Sequence, residues 1–246
     1  MASGNPDMGE QALSKAAEVG MSSQLDEVES LDVDLRTDPG KLVQGELESA
    51  EIEGRGMVMQ KDLRTEELTL KTNAIAIDPL KAAFGDIELK RPTDASAHVV
   101  LTEGDLERAF NAEYIQAKLR DQQLTINGES LKVSLRNVKF RIPEDNKVAL
   151  ESEVFIPQKN EKRQVAFTAV PRVAEGGNRV ALEDIQYAEG QEVSPELTDA
   201  LLNSAKDLLD LRNFELQGMS LQLQKLDVQK GKLVMQAQAH VEQFPG

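Results

Sequence analysis

Cysteine and tryptophan are both missing from this chain of 246 residues. Without Cys, disulfides, thiolate metal sites and thiol nucleophiles are excluded. Aromatic residues make up only 4%, so an interior must be built from Leu, Val, Ile and Ala. The only histidines are His98 and His240. Both stand in alternating patterns with no second ligand at strand or helical spacing, which fits structural or surface roles. No segment approaches the roughly 18 apolar residues of a membrane span. Met1 to Asp7 shows no basic residue before an apolar run, so no secretory leader is legible. The expected location is cytoplasmic or peripheral to a membrane.

The inventory for catalysis is equally thin. Gly218-Met219-Ser220 lacks the second Gly of a nucleophile elbow, and Gly54-Arg55-Gly56 lacks the third Gly and following helix of a phosphate loop. Glu51 with Glu53, and Asp32 with Asp34, share strand faces, a pattern commoner for an acidic edge than for a cation site. The expectation is a protein that is no enzyme, with no catalytic residue, no metal and no cofactor.

What is abundant is negative charge. The formal net charge is -15, a field that repels phosphate backbones, so no nucleic acid partner is expected. Residues 1–60 hold four basic and thirteen acidic side chains, whereas residues 118–163 hold ten basic and seven acidic. That local excess reads either as strands with mixed solvated faces or as a foot for anionic head groups. In the second reading Lys132, Arg136, Lys162 and Arg163 form the membrane-docking edge, with Lys132 and Arg136 on one face of one strand.

Three segments carry helical periodicity. The first, residues 9–28, aligns Leu13, Ala16, Ala17, Met21 and Leu25; residues 1–9 read as a flexible N-terminus. The second, 103–119, is capped by Thr102 with Asp105 three residues on, and aligns Leu106, Phe110, Tyr114 and Ala117. The third, 195–209, opens on Ser194 as N-cap and Pro195 at the first helical position, with Leu197, Leu201, Ala205 and Leu208 on its apolar face.

Most of the remaining chain alternates with period two. Leu31, Val33 and Leu35 oppose Asp32, Asp34 and Arg36; Leu131, Val133 and Leu135 repeat the pattern; so do Leu233, Met235, Ala237, Ala239 and Val241. Such alternation specifies antiparallel sheet with one dry and one wet face. Two repeats add organisation. Asp38-Pro39-Gly40-Lys41 with Gly45 returns 40 residues later as Asp78-Pro79-Leu80-Lys81 with Gly85, each copy reading as a short helical turn ended by Gly. Thr102 and Ser194 lie 92 residues apart, each opening a helix followed by strands, so residues 10–246 read as a single domain of helix-plus-meander units.

Short helices cover only part of such a sheet. The candidate inner face is rich in small or flexible side chains, and Met57, Met59, Ala74, Ala76, Leu201, Met235 and Ala237 are the candidate lipid contacts of an apolar groove. An ordinary filled core is the plainer reading of the same residues.

The stretch Leu31 to Pro39, the segment Gly45 to Gly56, Asp78-Pro79 with Phe84-Gly85, Val100-Leu101-Thr102 with Asp105-Leu106, and Leu211 to Leu216 together resemble the LmeA-like phospholipid-binding family, most of all its cyanobacterial branch. The resemblance covers about residues 10–244 and rests on overall pattern, with no catalytic signature. It implies an α+β fold in which a highly curved antiparallel β-sheet wraps amphipathic helices in a tubular, lipid-binding arrangement. It further implies a non-catalytic protein that binds phospholipid or another membrane lipid at a membrane surface. The competing reading is a structural or assembly factor whose groove binds a protein segment of a membrane complex.

Overall fold

The computed structural model describes residues 8–59, 61–77, 89–126, 129–188, 209–214 and 219–242. In chain order these form helix α1 (Met8–Ser22), strand β1 (Ser30–Arg36), the short helix α2 (Pro39–Val43), and strands β2 (Glu46–Leu47), β3 (Ser49–Met59), β4 (Leu63–Thr72), β5 (Ile75–Ala76) and β6 (Thr93–Thr102). Helices α3 (Glu103–Asn111) and α4 (Glu113–Leu119) follow. Then come β7 (Gln122–Ile126), β8 (Glu129–Glu144), β9 (Lys147–Ile156), β10 (Glu161–Ala174), β11 (Arg179–Tyr187), β12 (Met219–Gln229) and β13 (Lys232–Val241).

The long strands make two sheets, ordered β1-β3-β4-β6-β13-β12 and β11-β10-β9-β8-β7, and β2 pairs with β5 in a third, two-stranded sheet. Neighbours pair antiparallel throughout. This is an α+β fold with a curled half-barrel sheet: the alternation led one to expect the antiparallel pairing, and the family resemblance implied the curvature. Extra residues in β8, β11 and β12 supply curvature, since a bulge bends its strand and increases local twist. Asn137, with φ of 52°, stands in the β8 bulge. The β7–β11 meander is inserted between β6 and β13, so the first sheet is completed only by the last hairpin.

Alternation sets what is dry. In β1, Val33 and Leu35 are buried and pack with Ala50, Ile75, Leu89 and Val241, and α1 adds Leu13, Ala17 and Met21. Leu131, Val133, Val154, Ile156 and Val165 fill the middle of the second sheet. A third cluster, with Phe140, Ile142, Val148, Val228 and Leu233, joins the two sheets. The join also depends on Gly177, whose φ of 96° and close approach to the Leu223 backbone leave no room for a side chain.

Helices close two open sheet edges by side-chain hydrogen bonds. On α1, Ser14 Oγ accepts from Leu35 N at 3.0 Å and Glu10 Oε1 accepts from Thr37 N at 2.8 Å. The two side chains are one helical turn apart and match alternate strand amides. On α3, Glu103 Oε2 accepts from Ile142 N at 3.0 Å and Glu107 Oε2 from Phe140 N at 3.1 Å. One turn further on, Asn111 Oδ1 accepts from Val138 N at 3.1 Å while its Nδ2 donates to Val138 O at 2.6 Å. The helix thereby stands in for a strand beside the part of β8 that β7 does not reach.

The first expected helix ends at Ser22 instead of near residue 28, because Asp26 N donates to Val58 O and Glu27 bridges Val58, drawing the chain onto the end of β3. The expected helix over 103–119 starts on the predicted Thr102–Asp105 capping box but is broken at Ala112, which is buried with an extended ψ of 145°. Asn111, whose side chain binds Val138, is the last residue before that break. The first Asp-Pro copy forms α2, with Asp38 Oδ1 accepting from Gly40 N and Lys41 N, and ends at Gly45 with φ of 76°. The second copy at 78–88 and, of the helix expected over 195–209, all but residue 209, Leu201 included, lie outside the described residues.

Candidate functional site

Where the two sheets diverge, an apolar cavity of about 300 Å³ remains. Leu101 of β6, Leu226 of β12 and Leu233 and Met235 of β13 line one side; Leu150 and Val154 of β9 and Val165 and Phe167 of β10 line the other. Leu106 and Phe110 of α3 and Leu119 of α4 complete the wall. Phe110 stacks on Phe140 with centroids 5.6 Å apart, which keeps the ring against the cavity. The polar lining residues are Gln122, Ser152 and Tyr187, and no Asp, Glu, Lys, Arg or His lines it among the described residues. Ser152 Oγ donates to Arg136 O at 2.9 Å, so it is already satisfied. Such a space takes a hydrocarbon chain and rejects a charged group, because nothing in it would repay desolvation.

α3 is fixed above this cavity by a cluster at its N-terminus. Asp105 accepts from Thr102 N and Thr102 Oγ1, and pairs with Arg64 Nη1 at 2.8 Å; Arg64 also reaches Glu66 and Glu29. Burial pushes the Asp105 carboxyl up, but Arg64 and Thr102 outweigh burial and hold it below its ordinary value. The same bonds, to Asp105 first and Glu66 second, raise the Arg64 guanidinium.

Of the residues expected to contact lipid, Met235 lines the cavity and Ala237 lies half-buried one step further along the same face of β13. Met57 and Ala76 are buried away from it. Met57 turns its sulfur over Gly54, because left-handed Gly56 interrupts the alternation of β3. Met59, at the end of β3, is 43% exposed, and Ala74 is exposed in the turn between β4 and β5; neither faces an interior.

Among the expected docking residues, Lys132, Arg136 and Lys162 share the outer face of the second sheet. Arg136 stands opposite Glu153 with its guanidinium 4.6 Å over the Phe155 ring, and Lys162 Nζ pairs with Glu153 at 3.1 Å. Arg163 pairs in register with Val154, on the opposite face, and its guanidinium binds Glu161. The one-residue step from Lys162 reverses its direction. Further basic groups of this region are neutralised in place, Lys139 by Glu151, Lys159 by Glu129 and Arg141 by Glu107.

A second, polar concavity of about 710 Å³ lies on the outside of the first sheet. There Ser220, His240 and Asp94 form one row across β12, β13 and β6, with His240 Nδ1 2.7 Å from Asp94 Oδ1. Ser220 makes no hydrogen bond to the ring and Asp94 is 72% exposed, so the row lacks the dry, connected geometry of a nucleophilic triad.

Together the curled antiparallel sheet and the helix-covered edges leave an apolar space between the sheets that no charged side chain lines among the described residues. The model of the LmeA-like phospholipid-binding family matches residues 6–238, and the chain belongs to that family. No curated protein and no solved structure is a match to the chain. No helix among the described residues is long and apolar enough to cross a membrane.

Proposed function

We propose that the protein works without catalysis as a peripheral lipid-binding protein, holding an acyl chain in the cavity between its two sheets with the head group outside. The observation that carries this reading is the uncharged cavity of about 300 Å³ in a member of a phospholipid-binding family. Each methylene buried there contributes about 0.8 kcal/mol, so ten offset the ordering of a chain by about 8 kcal/mol. With no cation in the lining among the described residues, the cavity selects for chain and leaves head-group preference to the surface. There Lys132, Arg136 and Lys162 supply the docking edge for an anionic membrane surface; Arg163 faces elsewhere and is left out of the set.

The test is mass spectrometry of lipid extracted from the purified protein, repeated on Leu150→Trp, which fills the cavity from β9. Co-purifying phospholipid in the parent, and its loss in a folded Leu150→Trp, is the expected result. A parent that carries no lipid and takes up none from vesicles refutes the reading. Capture of an apolar peptide in its place would favour the assembly-factor alternative.

A further inference from the structure

We propose that α2 is a membrane-inserting tip, so that the chain meets a bilayer through an apolar contact independent of its basic face. Among the described residues the exposed large hydrophobic side chains are Met8, Val19, Leu42, Val43 and Met59. Only Leu42 and Val43 are adjacent, and Val43 is 81% exposed. They are held out by a rigid turn. Asp38 caps its start, Pro39 occupies the first turn, and Gln44 N and Gly45 N donate to Lys41 O and Leu42 O at 2.9 Å each. A turn fastened at both ends thus holds Val43, and the 37% of Leu42 that is exposed, out towards water.

The surroundings favour lipid as the cover for these side chains. Lys90 stands at the base of the turn, its Nζ donating to Gln44 O at 3.0 Å, with Arg91 exposed beside it, while Lys41, within the turn, is paired with Glu48. Long basic side chains around an apolar tip suit the head-group level of a bilayer, where their stems lie in hydrocarbon and their charges reach water. A protein partner would need about 800 Å² from each side, far more than one Leu and one Val provide. A bilayer needs no matching surface. The turn is rooted in the core by Leu35, Leu47 and Ile75, so an inserted tip would carry the whole first sheet with it. The proposal rests on the lipid-binding reading for its choice of occupant, but it does not require the cavity.

Because the chain has no tryptophan, Val43→Trp would be its sole indole reporter. With phosphatidylcholine vesicles, its emission is expected to shift to the blue and to be quenched by brominated acyl chains, while Val19→Trp on α1 stays unchanged. Leu42→Ser with Val43→Ser is expected to lower co-sedimentation with the same vesicles roughly tenfold or more, with little dependence on salt. Val43→Trp emission that ignores vesicles, or a double variant that sediments like the parent, overturns the proposal. So does a blue shift that grows with protein concentration in the absence of vesicles, which would assign the tip to a second copy. Uptake of a short-chain, vesicle-free phospholipid is measured alongside. The double variant is expected to keep it, and failure there in the parent would count against the cavity alone.

Discussion

Asn111 offers the sharpest measure of how firmly α3 is tied to the second sheet. Its side chain donates to Glu107 O at 2.8 Å and to Val138 O at 2.6 Å, and accepts from Val138 N at 3.1 Å. Each net bond contributes about 0.5–1.5 kcal/mol, and Val138 itself is 2% exposed, so water replaces the lost partners poorly. Asn111→Ala is therefore expected to cost about 2–3 kcal/mol. With a urea dependence of about 2 kcal/mol per molar, the unfolding midpoint should fall by about 1 M. Asn111→Asp should do at least as much damage, because it keeps the acceptor for Val138 N but sets a carboxylate oxygen against Val138 O. Hydrogen exchange at the Val138 amide should accelerate in both variants. A midpoint within about 0.2 M of the parent, with that amide still protected, would refute the view that α3 substitutes for a strand.

Three further outcomes are expected. Asp105 is held below its ordinary value near 3.8, so its stabilising contribution is complete above that pH and is lost as pH falls through the lowered value. Thermal melts of Asp105→Asn should lie below the parent at neutral pH, by about 1–3 kcal/mol, and converge with it in strong acid. Gly177→Ala should destabilise by about 1–3 kcal/mol in urea unfolding, since its φ of 96° and the Leu223 backbone both oppose a side chain. Lys132→Glu, Arg136→Glu and Lys162→Glu together should weaken co-sedimentation with anionic vesicles at low salt, at about 1 kcal/mol for each exposed cation. Arg163→Glu alone should leave it unchanged, and a triple variant that binds like the parent would end the docking edge.

Much of this fold is legible in the residues, and the illegible part has physical causes. The alternation around Val33, Val133 and Leu233 gives strands and their dry faces, and Thr102 with Asp105 marks the start of α3 to the residue. The capping pair works from sequence because its partners are three residues apart. The cavity does not, because it is set by how two sheets diverge. Small residues such as Ala74 and Ala76 suggested open space, yet the space is walled by large ones such as Leu150, Phe167 and Phe110. A void of this kind comes from backbone separation, and side-chain volume in one strand carries no record of it. The edge contacts of Glu103, Glu107 and Asn111 were hidden for a related reason: polar residues every fourth position read as a solvated helix face.

The insertion of the β7–β11 meander between β6 and β13 has a consequence for how the chain is made. The meander pairs only sequence neighbours, so it can close soon after it leaves the ribosome. β6 is different: its second neighbour is β13, and Asp94 waits 146 residues for His240. Through most of synthesis the first sheet therefore carries a bare edge at β6, lined on its inner face by Ala95, Ala97, Val99 and Leu101. Closing it is a non-local step, expected to be the slow phase of refolding and the stage most open to pairing between chains. Removal of the final hairpin should leave the meander able to form while the first sheet stays unfinished, a kinetic asymmetry that the finished molecule conceals.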